Sequence, residues 1–218
     1  MAIDFKLIVD SLPFLLVGAR TAIVVTFWSV LLGITLGLMV ALGRLSKITP
    51  LAVVCQAYVE FMRGTPMVVQ IFIVYFGLPR VGVYLPPLLS GVVALGLNSG
   101  AYLGEIFRGG IQSIDNGQTK AALSLGLKPM QVMRYIVLPQ AFVRVLPAIG
   151  NEFVTMIKDS SLVSFIAVQE LTYRSTLVAA RTYDYFSMYM ATAMIYFVMT
   201  FTVSRTLMWL EGRLRVGD

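Results

Sequence analysis

The chain has 218 residues, 58% of them hydrophobic and only 13% charged, with a mean hydropathy of +0.82 and a formal net charge of +6. A soluble domain carries about 25% charged residues, so this chain lacks the polar surface to face water all round, and membrane residence is expected. It has no histidine and one cysteine, Cys55, which excludes imidazole acid–base chemistry, histidine- or thiolate-caged metals and an intramolecular disulfide. Its basic residues fall between apolar runs rather than along one stripe, a pattern of membrane topology and not of a nucleic-acid surface.

Residues 1–18 carry Asp4, Lys6 and Asp10 in place of a basic leader and show no small-residue cleavage site, so no cleaved signal peptide is expected. They read as an external or interfacial segment ahead of the first span. The runs 21–43, 81–103 and 185–204 contain no charge at all. About 20 apolar residues cross the hydrocarbon, so each predicts a transmembrane helix, with Pro86-Pro87 marking the first turn of the middle one.

Two further spans are interrupted. Residues 51–78 contain Glu60, Arg63 and the helix-breaking Gly64-Thr65-Pro66, and residues 135–157 contain Arg144, Glu152, Pro139 and Pro147. Polar or irregular backbone at membrane depth survives only where protein or a water-filled cavity covers it, so function is expected in these two segments.

The fold class predicted is therefore all-α integral membrane, with five transmembrane helices over residues 19–208 and a tail over 209–218. Arg44 and Lys47 follow the first span, Arg108, Lys120, Lys128 and Arg134 lie between the third and fourth, and Arg205, Arg213 and Arg215 follow the fifth. Only Arg80 lies between the second and third. Basic loops stay in the cytoplasm, which puts the N-terminus outside and the C-terminus inside. Residues 158–184, of mixed charge, read as external and partly re-entering.

Charged groups within spans are costly and need a reason. Glu152, with Asn151 beside it and Met156 one turn on, has two readings: a carboxylate facing a cavity to accept an ammonium or cationic side chain, or a salt bridge to Arg63, Arg144 or a neighbouring subunit. Arg63, before the break at Gly64-Thr65-Pro66, either clasps a carboxylate in paired hydrogen bonds or pairs with Glu60 three residues earlier. Asn98 and Ser99, inside an uncharged span, suit helix–helix hydrogen bonding. Ser160 and Ser161 are further polar candidates just beyond Lys158 and Asp159.

Between the third and fourth spans, Asp115 and Asn116 are helix-capping residues, Ala121-Ala122-Leu123 favours helix, and Gly126 is a natural stop. A short cytoplasmic helix over about 115–127 is predicted. Ala121-Ala122, three residues, Gly126, nine residues, Ile136, one residue, then Leu138-Pro139 resembles the EAA loop of binding-protein-dependent ABC importer permeases, with Lys120 standing where that family usually has glutamate. Three more stretches resemble the polar amino acid permeases of that family: 58–66 (YVEFMRGTP), 97–102 (LNSGAY), and 150–153 (GNEF) with 158–161 (KDSS) after it.

The resemblance implies a type I ABC importer permease fold in a bacterial inner (plasma) membrane. It implies that Gly117, Lys120, Ala121, Ala122, Ser124 and Gly126 form the contact with an ATPase. It also turns Asn98 towards a substrate cavity, alongside Glu152, Arg63, Met156 and Ser160. The implied partners are a second permease subunit, identical or paralogous, two cytosolic ABC ATPases, an external solute-binding protein, membrane lipid and a polar amino acid, basic ones included. No Gly-x-x-x-x-Gly-Lys-Ser/Thr run exists, so the chain is read as no enzyme and without a cofactor, ATP and magnesium being held by the partner. The competing readings are a membrane enzyme and a channel or structural membrane protein without ATP coupling.

Overall fold

A computed structural model of the chain describes residues 3–214, and all regular structure in that range is helical. Helix α1, Phe5–Leu45, is one unbroken element of 41 residues. Asp4 caps it by accepting the Leu7 N–H at 2.9 Å. At ~1.5 Å per residue it is about 60 Å long, twice the ~30 Å of hydrocarbon. Residues 5–18 are thus helically continuous with the first span, which is longer than the hydrocarbon needs. Pro13 removes one backbone donor without ending the helix. Leu15 and Ala19, just beyond it, pack against Leu171 and Ala191 and hold this end in place.

Helix α2, Thr49–Gly64, stops before Pro66, which pushes Thr65 into extended backbone. The chain restarts as α3, Met67–Phe72, then passes through a π turn, Ile73–Gly77, and a 3₁₀ turn, Leu78–Val81. The two halves meet at 111°. Helix α4, Pro87–Gln112, begins at the proline pair, as expected. Helix α5, Asn116–Ser124, is short, and α6, Pro129–Val132, runs through a second π turn, Met133–Val137, into α7, Leu138–Asp159. Both π turns end just ahead of a proline, Pro79 and Pro139, whose missing N–H and bulky ring disturb the regular i→i−4 pattern.

A 3₁₀ stretch, Ser160–Ile166, leads to α8, Leu171–Thr182, and the final helix α9, Tyr185–Leu214. Helix α9 passes the expected end of the fifth span near Ser204 and takes in the first half of the expected tail. Arg215 lies outside the described residues.

Helix α1, the run 129–166, and α9 are each long and apolar enough to cross a membrane, and the bent α2–α3 pair makes a fourth. Helix α4 is less apolar because glycine, serine and asparagine replace larger side chains. Those small residues put it at the centre. A Cβ at Gly37 of α1 would come within 2.9 Å of the Gly104 amide nitrogen of α4, and one at Gly33 within 2.7 Å of Ser99 Oγ. Glycines at four-residue spacing, Gly33-Gly37 on α1 and Gly96-Gly100-Gly104 on α4, line one seam and let the two backbones touch. Close approach of this kind drives helix association where lipid removes the hydrophobic incentive. At one end of the seam, Glu105 of α4 pairs with both Arg44 of α1 and Arg108.

Candidate functional site

The break in the α2–α3 pair is where the site is built. Ending a helix at membrane depth frees carbonyls that water cannot serve. Here two side-chain amides serve them. Gln70 Nε2 donates to Met62 O at 2.8 Å and to Thr65 O at 3.1 Å, and Asn98 Nδ2 donates to Met62 O at 3.1 Å and Gln70 Oε1 at 3.0 Å. The Thr65 hydroxyl donates to Phe61 O at 2.9 Å.

Beside this joint lies a cavity of about 210 Å³, far larger than the ~30 Å³ share of one water. Thr65 and Met67 face it from the break, Asn98 and Tyr102 from α4, and Glu152, Thr155, Met156 and Asp159 from α7. The α7 residues lie at i, i+3, i+4 and i+7, the spacing that puts side chains on one helix stripe. Glu152 is 8% exposed, and its Oε1 and Ser99 Oγ are the buried side-chain polar atoms without a hydrogen-bond partner among the described residues. No lysine or arginine lines the cavity. Two carboxylates with no lysine or arginine in the lining make the cavity acidic, and the C-terminal end of α2 and the N-terminal end of α3 meet at its edge with dipole ends of opposite sign.

Glu152, Asn98 and Met156 therefore meet in one cavity, while Arg63 and Ser160 do not line it. The Arg63 guanidinium stands 5.2 Å over the Tyr102 ring, on the wall rather than inside. Of the two readings of Arg63, the pair with Glu60 is not formed: Glu60 accepts from Gln56 Nε2 at 2.8 Å. Nor does Arg144 reach Glu152, since it donates to Ser113 Oγ at 3.0 Å. Ser160 is fully buried and donates to Ile157 O at 2.7 Å. Sequence reasoning passed over Asp159, Thr155, Tyr102, Thr65 and Met67. The i+7 relation of Asp159 to Glu152 was the available signal.

At the other end of the molecule, Asp115 caps α5 by accepting the Gly117 N–H. The helix closes on Gly126, whose φ of +85° is the left-handed conformation glycine favours. The Gly126 N–H donates to Leu123 O and the Leu127 N–H to Ala122 O, at 3.0 and 3.2 Å, the paired bonds of a Schellman stop. Gly117, Lys120, Ala121, Ser124 and Gly126 are exposed, whereas Ala122 is turned inward onto Ile114 and Val132. Gln140 Nε2 of α7 donates to Gln118 Oε1 at 2.6 Å and ties α5 to the body.

Residues 33–216 match the family model of the binding-protein-dependent transport system inner membrane component. The chain belongs to that family. It is a multi-pass inner-membrane permease subunit, which decides against the channel and enzyme readings. It is 36% identical over 219 residues to the arginine transport system permease protein ArtQ of Bacillus subtilis, covering all of both chains. It is 39% identical over 191 residues to the probable amino-acid ABC transporter permease protein YckA of the same organism, covering 88% of this chain and 84% of that one. The crystal structure of an amino acid ABC transporter with histidines superposes with a TM-score of 0.92 at 43% identity, over 98% of this chain and 100% of that one. The fold is thus that of an ABC importer permease.

Proposed function

We propose that this permease subunit carries polar amino acids bearing a positive side chain into the cytoplasm, and that the α4–α7 cavity is where they rest in transit. The observation that carries the reading is the buried Glu152 carboxylate, which takes part in neither ion pair found among the described residues and faces a cavity that also holds Asp159 and no basic side chain. A buried carboxylate without a counter-charge is costly, and a ligand with two cationic groups offsets that cost twice. One group is the α-ammonium, the other the side chain. The Met67 and Met156 thioethers and the Tyr102 ring offer an apolar wall to the aliphatic stem between them.

Transport in this reading is alternating access, with two permease chains enclosing the path and an external binding protein delivering the substrate. Cytosolic ATPases hold ATP and magnesium and press on the exposed face of α5. The rigid Gly126 stop and the Gln118–Gln140 tie pass that movement to α7, which carries Glu152 and Asp159. The permease contributes no hydrolytic group of its own.

The test is equilibrium binding of an amino acid panel to the purified assembly, wild type against Glu152→Gln. Cationic amino acids bind the wild type, and the variant loses them while its neutral-ligand background is unchanged. Undiminished binding of cationic amino acids to the variant removes Glu152 from the site and sinks the proposal.

A further inference from the structure

A second recess, of about 500 Å³, lies between α1 and α9 on the outer surface of the helix bundle. Its walls include Leu16, Ile23 and Val24 on α1 and Met194 and Val198 on α9, all apolar, and the one charged group facing it is Arg20. Arg20 is exposed and takes part in neither of the ion pairs found among the described residues. From Arg20 to Arg44 helix α1 rises about 36 Å at ~1.5 Å per residue. Arg44, in its cluster with Glu105 and Arg108, marks one membrane interface. Arg20 therefore stands near the level of the other, about one hydrocarbon thickness away, where lipid phosphates lie.

We propose that this recess holds one anionic phospholipid, its phosphate paired with Arg20 and an acyl chain lying along Ile23, Val24 and Val198. A planar guanidinium takes two phosphate oxygens at once, and an apolar trough beginning beside it accepts the chain attached to that phosphate. A zwitterionic headgroup fits less well, because its own ammonium competes for the phosphate. A second copy of this chain does not fit: residues 16–31 of α1 and 185–204 of α9 contain no aspartate or glutamate, so a two-fold contact through this face would leave Arg20 without a counter-charge.

The experiment is native mass spectrometry of the full-length chain in its assembled complex, loaded with phosphatidylglycerol or phosphatidylethanolamine. Four forms are compared: wild type, Arg20→Gln, Arg20→Lys and Val198→Trp, the last filling a trough residue that is 57% exposed. Wild type retains phosphatidylglycerol about fivefold more tightly, the worth of one basic residue at a membrane surface. Arg20→Gln abolishes the preference and Arg20→Lys keeps most of it. Val198→Trp weakens retention of both lipids. Equal retention of the two lipids by the wild type overturns the proposal, as does an Arg20→Gln variant that keeps the preference. Loss of the second permease chain from Arg20→Gln with lipid counts unchanged assigns the face to a protein contact and overturns it as well.

Discussion

Glu152 and Asp159 stand two turns apart on one stripe of α7 and open into the same cavity, whose lining holds no lysine or arginine. Neutralising Asp159 to Asn should weaken binding of cationic amino acids about ten- to a hundredfold, since a hydrogen bond to a charged group is worth ~1.5–3 kcal/mol. Neutral amino acids should be little affected. A parallel loss across all ligands would mean that Asp159 supports the fold and not the ligand. The panel used for Glu152→Gln decides it.

The α1–α4 seam predicts a sharp positional contrast among glycines. At Gly37 a Cβ meets backbone at 2.9 Å, while at exposed Gly109 of the same helix pair it meets nothing within 4 Å. Gly37→Ala should destabilise the protein by ~1–3 kcal/mol through overpacking. Gly109→Ala should leave stability unchanged or raise it by up to ~1 kcal/mol, the helix-propensity difference. Melting of the detergent-purified protein checks both, and similar melting of the two variants refutes the seam as a packing constraint.

Gln70 and Asn98 act as one unit at the helix break, because Asn98 Nδ2 is shared between Met62 O and Gln70 Oε1. Gln70→Leu should lower stability by ~1–3 kcal/mol by leaving Thr65 O without its side-chain donor, and Asn98→Leu by a similar amount by leaving Gln70 Oε1 without one. The double variant should lose less than the sum, as coupled neighbours do. Strict additivity in thermal or denaturant melts would separate them.

Gly126 holds a φ of +85° that other residues reach only with strain. Gly126→Ala should loosen the end of α5 at a cost of ~1–2 kcal/mol. Gly126→Trp should in addition block the approach of a partner, so that ATP is hydrolysed without matching uptake while membrane insertion is normal. Reconstituted transport per ATP consumed is the readout, and wild-type coupling in Gly126→Trp would remove α5 from the pathway.

Acid should loosen the start of α9 before it affects its centre. Hydrogen bonds from Ser187 hold the exposed Asp184 carboxyl below the usual carboxylate range, its Oδ1 accepting the Ser187 N–H at 3.0 Å. A depressed folded-state value means that the contribution is complete above the unfolded carboxylate pKa of ~3.9 and is lost as pH falls through the lowered one. Asp184→Asn should flatten the acid limb of the stability profile and change nothing near neutrality. An unchanged acid limb would show that Ser187 gives the carboxylate no stabilisation.

Membrane residence, the proline-bounded start of α4, the break at Pro66, the Gly126 stop and the spacing of the α5 loop were all legible in the sequence. Each depends on local chemistry: charge against the cost of hydrocarbon, the missing donor of proline, the freedom of glycine at positive φ. The unity of α1 was not legible, since its continuity past Pro13 rests on packing by α8 and α9. The roles within the site were legible only in part. Helical periodicity puts Glu152, Thr155, Met156 and Asp159 on one stripe but says nothing about what that stripe faces. Only the tertiary structure sets it opposite Asn98, Tyr102 and Thr65 and leaves Glu152 without a cation. The same holds for Arg63, placed on the Tyr102 ring rather than beside Glu60. Pairing through space depends on which helices pack together: Arg63 meets Tyr102 because α2 lies against α4, and Glu152 shares a cavity with Asn98 because α7 does, between residues far apart in sequence.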